Sequence, residues 1–110
     1  MMISNKVVYH FVGFAFHAQT SQGTVEKILK SFRDLESKIP LILDFRSGLN
    51  NSPEGLNKGC THGFILTFRS EIERDQYLIH SDHKAFVSLV KDHLSEVFVF
   101  DFSDLAMKKD

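Results

Sequence analysis

The stretch DQYLIHSDHKAF, residues 75–86, sets Tyr77, His80 and His83 within seven positions in a chain that has six histidines and two tyrosines. A neutral imidazole, with a pKa of about 6.5, can take a proton from an acidic carbon such as one between two carbonyl groups. A phenol beside it can donate a hydrogen bond to the carbonyl oxygen that gains charge as the proton leaves. The same residues admit a metal reading, since His80 and His83, with Asp82 between them, have the spacing of two ligands on one helical turn. No cysteine set or second histidine pair completes that coordination, so no metal is expected. The third alternative is a polar turn between two helices, with the imidazoles serving the backbone.

The scaffold that positions these residues must fit within 110 residues, which is one domain with a real core. The 13 Lys and Arg balance 14 Asp and Glu, leaving no electrostatic footprint for nucleic acid or an anionic membrane, and neither is expected as a partner. The one basic run, Lys108-Lys109, reads as a solvated tail. Cys60 is the only cysteine, which excludes an internal disulfide and points to a reducing compartment. The N-terminal MMISNKVVYHFVGFAF reads as a strand, not a signal peptide, because Lys6, Tyr9 and His10 interrupt it and a small-residue cleavage site is missing. With no apolar run long enough to span a bilayer, a cytoplasmic protein is expected. SPEGLNKG lacks the Gly-Lys-Ser/Thr ending of a phosphate loop. With no other cofactor motif in the chain, no cofactor is expected.

Along the chain, VVYHFVGFAF (7–16) is β-branched and aromatic, the signature of a strand covered on both faces. Thr20 or Ser21 can cap the helix that follows. That helix carries Val25, Ile28, Leu29, Phe32, Leu35 and Ile39 at helical spacing until Pro40 stops it. LILDFRSG reads as a second strand and LNNSPEGLNKG as a loop. In THGFILTF, strict alternation puts His62, Phe64, Leu66 and Phe68 on one face. SEIE is a capping box, with Ser70 as cap and Glu73 reaching back. The helix it starts should end near Ile79-His80. A second helix then begins at Ser81 or Asp82 and carries Phe86, Leu89, Val90 and Leu94. EVFVFDF is the last strand. The order β-α-β-β-α-α-β predicts an α+β, ferredoxin-like fold with a four-stranded antiparallel sheet, its second helix broken in two.

In this topology both crossovers lie on one side of the sheet, so one face stays bare. Yet both faces are apolar. If His10, Val12, Phe14 and Phe16 face the helices, then Tyr9 and Phe11 face away, and Phe98, Phe100 and Phe102 oppose Val97 and Val99. An open aromatic sheet face normally marks an interface. The expected partner is a second copy of the chain, packed sheet to sheet about a two-fold axis and burying roughly 1,600 Å² or more.

Four ordered motifs make the chain resemble the stress-responsive A/B barrel (Dabb) domain family over residues 6–102. They are His10 to Phe16 in the first strand, SPEGLNKGCTHGFILTF at 52–68, YLIHSDHKAF at 77–86 and the closing VFVFDF. Ser81 stands where the family usually has proline. The resemblance implies a dimeric α/β barrel of two ferredoxin-like subunits. It also implies a cavity between helices and sheet, lined by His10, Val12, Phe14, Ile28, Leu29, Phe32, Phe64, Leu94, Val97 and Val99. Most members have no assigned activity, so one expectation is a stress-associated homodimer that binds a small hydrophobic ligand. A few plant members are polyketide cyclases in which a Tyr and a His act together at positions matching Tyr77 and His83. The alternative is therefore a lyase or cyclase for a small polyketide-like carbonyl compound, with His83 as base, Tyr77 as donor and His10 orienting the substrate. The family's distant likeness in fold to antibiotic-biosynthesis monooxygenases offers a third, weaker option. All of this requires an open cavity: if Phe14, Phe32 and Phe64 plug it, neither ligand nor substrate fits. His80 is expected to cap or brace the turn, His62 to point toward the helices, and His17 and His93 to lie at surface or helix-end positions. Cys60 is expected to be a small apolar filler, because nothing around it lowers a thiol pKa.

Overall fold

The computed structural model describes residues 6–105. The tail expected at Lys108-Lys109 and the start of the N-terminal stretch lie outside the described residues. Strand β1 (Val8–Phe16) leads into helix α1 (Gln22–Lys38), and β2 (Ile42–Leu49) and β3 (His62–Phe68) follow. Two short helices, α2 (Glu71–Leu78) and α3 (Ser81–Val90), precede the final strand β4 (Leu94–Phe102). The sheet order is β2-β3-β1-β4, antiparallel throughout, which is the ferredoxin-like α+β arrangement.

Each helix starts where a side chain satisfies an orphan backbone N–H. The Ser21 hydroxyl accepts from the Thr24 amide at 3.2 Å and the Ser70 hydroxyl from the Glu73 amide at 3.2 Å. α1 ends one residue before Ile39, which is extended ahead of Pro40. Leu94 departs from expectation. It does not continue α3, because a single 3₁₀ turn, Lys91–His93, intervenes and Leu94 opens β4. His17 and His93 meet there, the His17 amide donating to the His93 carbonyl at 2.9 Å.

Val8, Val12, Phe14, Phe64, Leu66 and Phe68 face the helices and pack on Ile28, Phe32, Leu35, Phe86 and Val90. At the centre Phe32 stacks on Phe86 with ring centroids 4.5 Å apart, and Phe64 and Phe14 close around it at 4.7 and 5.7 Å. The helices leave most of β4, an edge strand, uncovered, and α2 reaches it through the Arg74–Asp101 pair. Val97 and Val99 point to the helix side yet remain 54% and 53% exposed, an overhang with nothing beneath it.

On the opposite face the register aligns Tyr9 with Phe102 and Phe11 with Phe100. Phe98, Phe100 and Phe102 form a ladder of rings with successive centroids 6.4 Å apart, all of it exposed. The Phe11 ring packs over Gly63, where a Cβ would sit in contact with it at 3.4 Å. Cys60 fills the matching space at Gly13, where a Cβ would come within 3.2 Å of its Sγ. The thiol is buried, and burial raises its pKa, as befits a packing residue.

Candidate functional site

The break between α2 and α3 sets the geometry of the site. His80 caps α3, its Nδ1 accepting from the Asp82 amide at 3.1 Å, and so does structural work. This cap lets α3 start at Ser81. One turn on, His83 lies 3.0 Å from the Leu78 carbonyl through Nδ1. A carbonyl oxygen only accepts, so His83 Nδ1 carries the proton and donates, and Nε2 keeps its lone pair.

The His83 ring packs against Tyr77, centroids 4.4 Å apart, and Tyr77 meets the His10 ring edge-on at 6.0 Å. Tyr77 is 1% exposed, and burial pushes its phenol pKa well above the usual value, so it is a neutral hydrogen-bond donor at ordinary pH. Burial also lowers the pKa of His83. The Leu78 carbonyl works against that shift, and the charges of His10 and His80 add to it. His83 is therefore a neutral acceptor near pH 7, the form a general base requires. The same shift has a stability sign. Below about pH 6.5 the unfolded chain takes up a proton that the folded His83 resists, so stability present above that pH is lost as pH falls toward the lowered pKa. His62, whose pKa burial also lowers, adds in the same direction. An NMR titration of the His83 ring is expected to show its midpoint below 6.5; a midpoint above it contradicts the burial argument.

These three side chains border a cleft of about 880 Å³ between α2, α3 and the β1–β4 half of the sheet. Of the residues expected to line it, His10, Val12, Phe14, Phe32, Leu94, Val97 and Val99 do so. Ile28, Leu29 and Phe64 do not. Ile28 is sealed in the core, while Leu29 and Phe64 border a smaller hollow between α1, β2 and β3. Phe14 and Phe32 stack on each other and on Phe86 to form the inner wall of the cleft, with Phe64 packed behind them, and leave the space beside them open. Val97 and Val99, uncovered by any helix, supply the opposite apolar wall. A mostly apolar cleft with a few convergent polar groups has the character of a small-molecule site.

Sequence reasoning missed Phe86, Val87, Val90, Arg74 and Asp101 among the lining residues. Asp101 had a signal: on β4 it shares the helix side with Val97 and Val99, and a carboxylate at such a position needs a partner. It has two, His10 Nδ1 at 2.7 Å and Arg74 Nη1 at 2.7 Å. Among the described residues no three His, Cys, Asp or Glu side chains gather as a metal set, and no helix is long and apolar enough to cross a membrane.

Known proteins place this architecture. Olivetolic acid cyclase from Cannabis sativa is 24% identical over 96 residues, 87% of this chain and 95% of that protein. The hydroxynitrile lyase of Passiflora edulis superposes with a TM-score of 0.87 at 19% identity, over 96% of this chain and 99% of the other. A dimeric ferredoxin-like protein of unknown function from Thermobifida fusca superposes with a TM-score of 0.77 at 16% identity, covering 94% and 95% of the two chains. The model of the stress-responsive A/B barrel domain matches residues 8–104, and with this fold, the Tyr77–His83 pair and the cleft they border, the chain belongs to that family.

Proposed function

We propose that the protein is a homodimer whose cleft binds a small, largely apolar carbonyl compound and catalyses proton transfer at the carbon beside the carbonyl, as a lyase or cyclase does. The observation that carries this reading is the tautomer of His83: its Nδ1–H is committed to the Leu78 carbonyl, which leaves Nε2 as a neutral acceptor beside the buried Tyr77 phenol. In the proposed step His83 Nε2 takes the carbon-bound proton, and the Tyr77 hydroxyl hydrogen-bonds the oxygen that becomes an enolate. The apolar walls hold an alkyl or aromatic tail. The likeness to olivetolic acid cyclase supports carbonyl chemistry, and that to a dimeric fold neighbour supports the assembly.

The direct test follows hydrogen–deuterium exchange at the methylene of alkyl and aryl β-diketones, together with ligand-induced shifts in the protein's NMR spectrum. Binding with exchange above the buffer rate is expected. Binding without exchange reduces the protein to a ligand-binding domain, and the absence of both binding and exchange overturns the proposal. For the assembly, the exposed ladder Phe98, Phe100 and Phe102 with Tyr9 and Phe11 would form the contact. Phe100→Glu places an unpaired charge at its centre and should convert the dimer to a monomer in sedimentation. A wild-type chain that sediments as a stable monomer at micromolar concentration contradicts the sheet-to-sheet assembly.

A further inference from the structure

Asp101 stands directly opposite His10 across β1 and β4. One of its oxygens lies 2.7 Å from His10 Nδ1, and the other accepts from Arg74 Nη1 at 2.7 Å, while Arg74 Nε donates to Asp75 at 2.8 Å. An ionised carboxylate has only acceptors to offer, so His10 Nδ1 carries the proton and donates. In the neutral ring Nε2 then keeps its lone pair. His10 is 4% exposed, and among the described residues no buried side-chain nitrogen or oxygen lacks a partner. Its Nε2, to which no described residue bonds, therefore meets the cleft that His10 lines.

We propose that Asp101 and Arg74 are positioning residues that lock His10 in the Nδ1–H tautomer, so that the cleft presents a second acceptor nitrogen, across Tyr77 from that of His83, and its ligand is a carbonyl compound that also bears a hydroxyl or enol O–H. The ligand half rests on the carbonyl-compound reading above; the tautomer half does not. Arg74 has a distinct part. It is purely a donor, so the group at position 101 must turn an acceptor toward it. A carboxylate meets that demand and still has an oxygen for His10. An amide cannot: with its oxygen held by Arg74, its NH₂ faces His10 and the imidazole must accept at Nδ1. Asp101→Asn is thus expected to move the proton to Nε2, reversing the polarity of the nitrogen in the cleft. Removing Arg74 as well frees the amide to turn its oxygen back to His10.

Long-range ¹H–¹⁵N spectra of the ¹⁵N-labelled full chain, at a pH where the ring is neutral, read this directly. The wild type, Asp101→Glu and the double variant Arg74→Leu/Asp101→Asn are expected to show His10 protonated at Nδ1, and Asp101→Asn alone at Nε2. Finding the wild type protonated at Nε2, or no difference between the single and double variants, overturns the proposal. The wild-type spectrum alone suffices should a variant fail to fold. For the ligand, a β-hydroxy ketone is expected to bind the wild type about tenfold more tightly than its methyl ether, the ratio expected for one lost hydrogen bond to a buried acceptor. Equal binding overturns that half. In β-diketone exchange, where the enol supplies the O–H, Asp101→Asn should raise KM about tenfold with kcat little changed, the double variant recovering part of it. A wild type that shows the expected tautomer but no exchange overturns the catalytic reading alone and leaves this one standing.

Discussion

Replacing His83 by alanine should lower catalysed exchange on a β-diketone by about 10²–10⁴, the usual contribution of a positioned general base. The loss should fall on kcat. The apolar walls that hold the ligand, Val97 and Val99 on one side and Phe86 and Val90 on the other, are untouched by the change. The proposed dimer should persist, because His83 lies on the helix side of the sheet and the exposed aromatic ladder on the other. His83→Gln separates two roles: its amide can still donate to the Leu78 carbonyl and hold the turn, but it supplies no base. Activity equal to wild type in either variant removes His83 from the chemistry. Because burial lowers the pKa of His83, wild-type activity should also hold as the pH drops below 7 and decline only under the ordinary histidine range.

The other large effect concerns the wall that keeps the cleft open. Phe32→Ala should destabilise the fold by about 3–5 kcal/mol, since the ring is 2% exposed and its neighbours cannot all collapse into the space it leaves. Phe86, Phe64, Phe45 and Phe14 each lie within 6 Å of it, ring to ring. Two of these contacts, with Phe86 and Phe14, are near-parallel stacks that lose their partner outright. For a domain of this size each kcal/mol shifts Tm by about 4–8 °C, so the change is easily read by thermal or urea unfolding. Phe32 also forms part of the cleft wall, so the variant should admit bulkier ligands than the wild type. A destabilisation under about 1 kcal/mol would mean that the aromatic cluster is loosely packed and does not define the cleft.

Much of this was legible in the residues themselves. The alternation of β1, β3 and β4, the helical stripe of α1 and the Ser70 cap each carry a local period or cap that secondary structure must satisfy, and the elements fall where those signals put them, although the Glu73 carboxylate pairs with Arg69 at 3.7 Å. The two-sided apolar character of β4, set against crossovers that cover only one face of the sheet, pointed to the bare face. Leu94 was misplaced because its spacing from Val90 suits a helix, whereas the backbone tightens into a 3₁₀ turn and then extends. Leu29 and Phe64 illustrate the limit of reading faces. Both turn toward the helix–sheet interior, yet they border the hollow beside α1, β2 and β3, while the larger cleft that Tyr77 and His83 border lies at the β1–β4 end of the sheet.

The sequence by itself therefore determined the element order, the family and the segment that carries Tyr77 and His83, because these follow from short-range periodicity and from motifs contiguous in the chain. Only the tertiary structure decided that Phe14, Phe32 and Phe86 stack into a wall beside an open cleft, since packing depends on volumes meeting across elements far apart in sequence. It alone brought Arg74 and Asp101, twenty-seven residues apart, to His10 at the start of the chain. And it alone assigned the proton on His83, because the carbonyl that holds it, Leu78, lies across a helix break whose geometry no local pattern specifies.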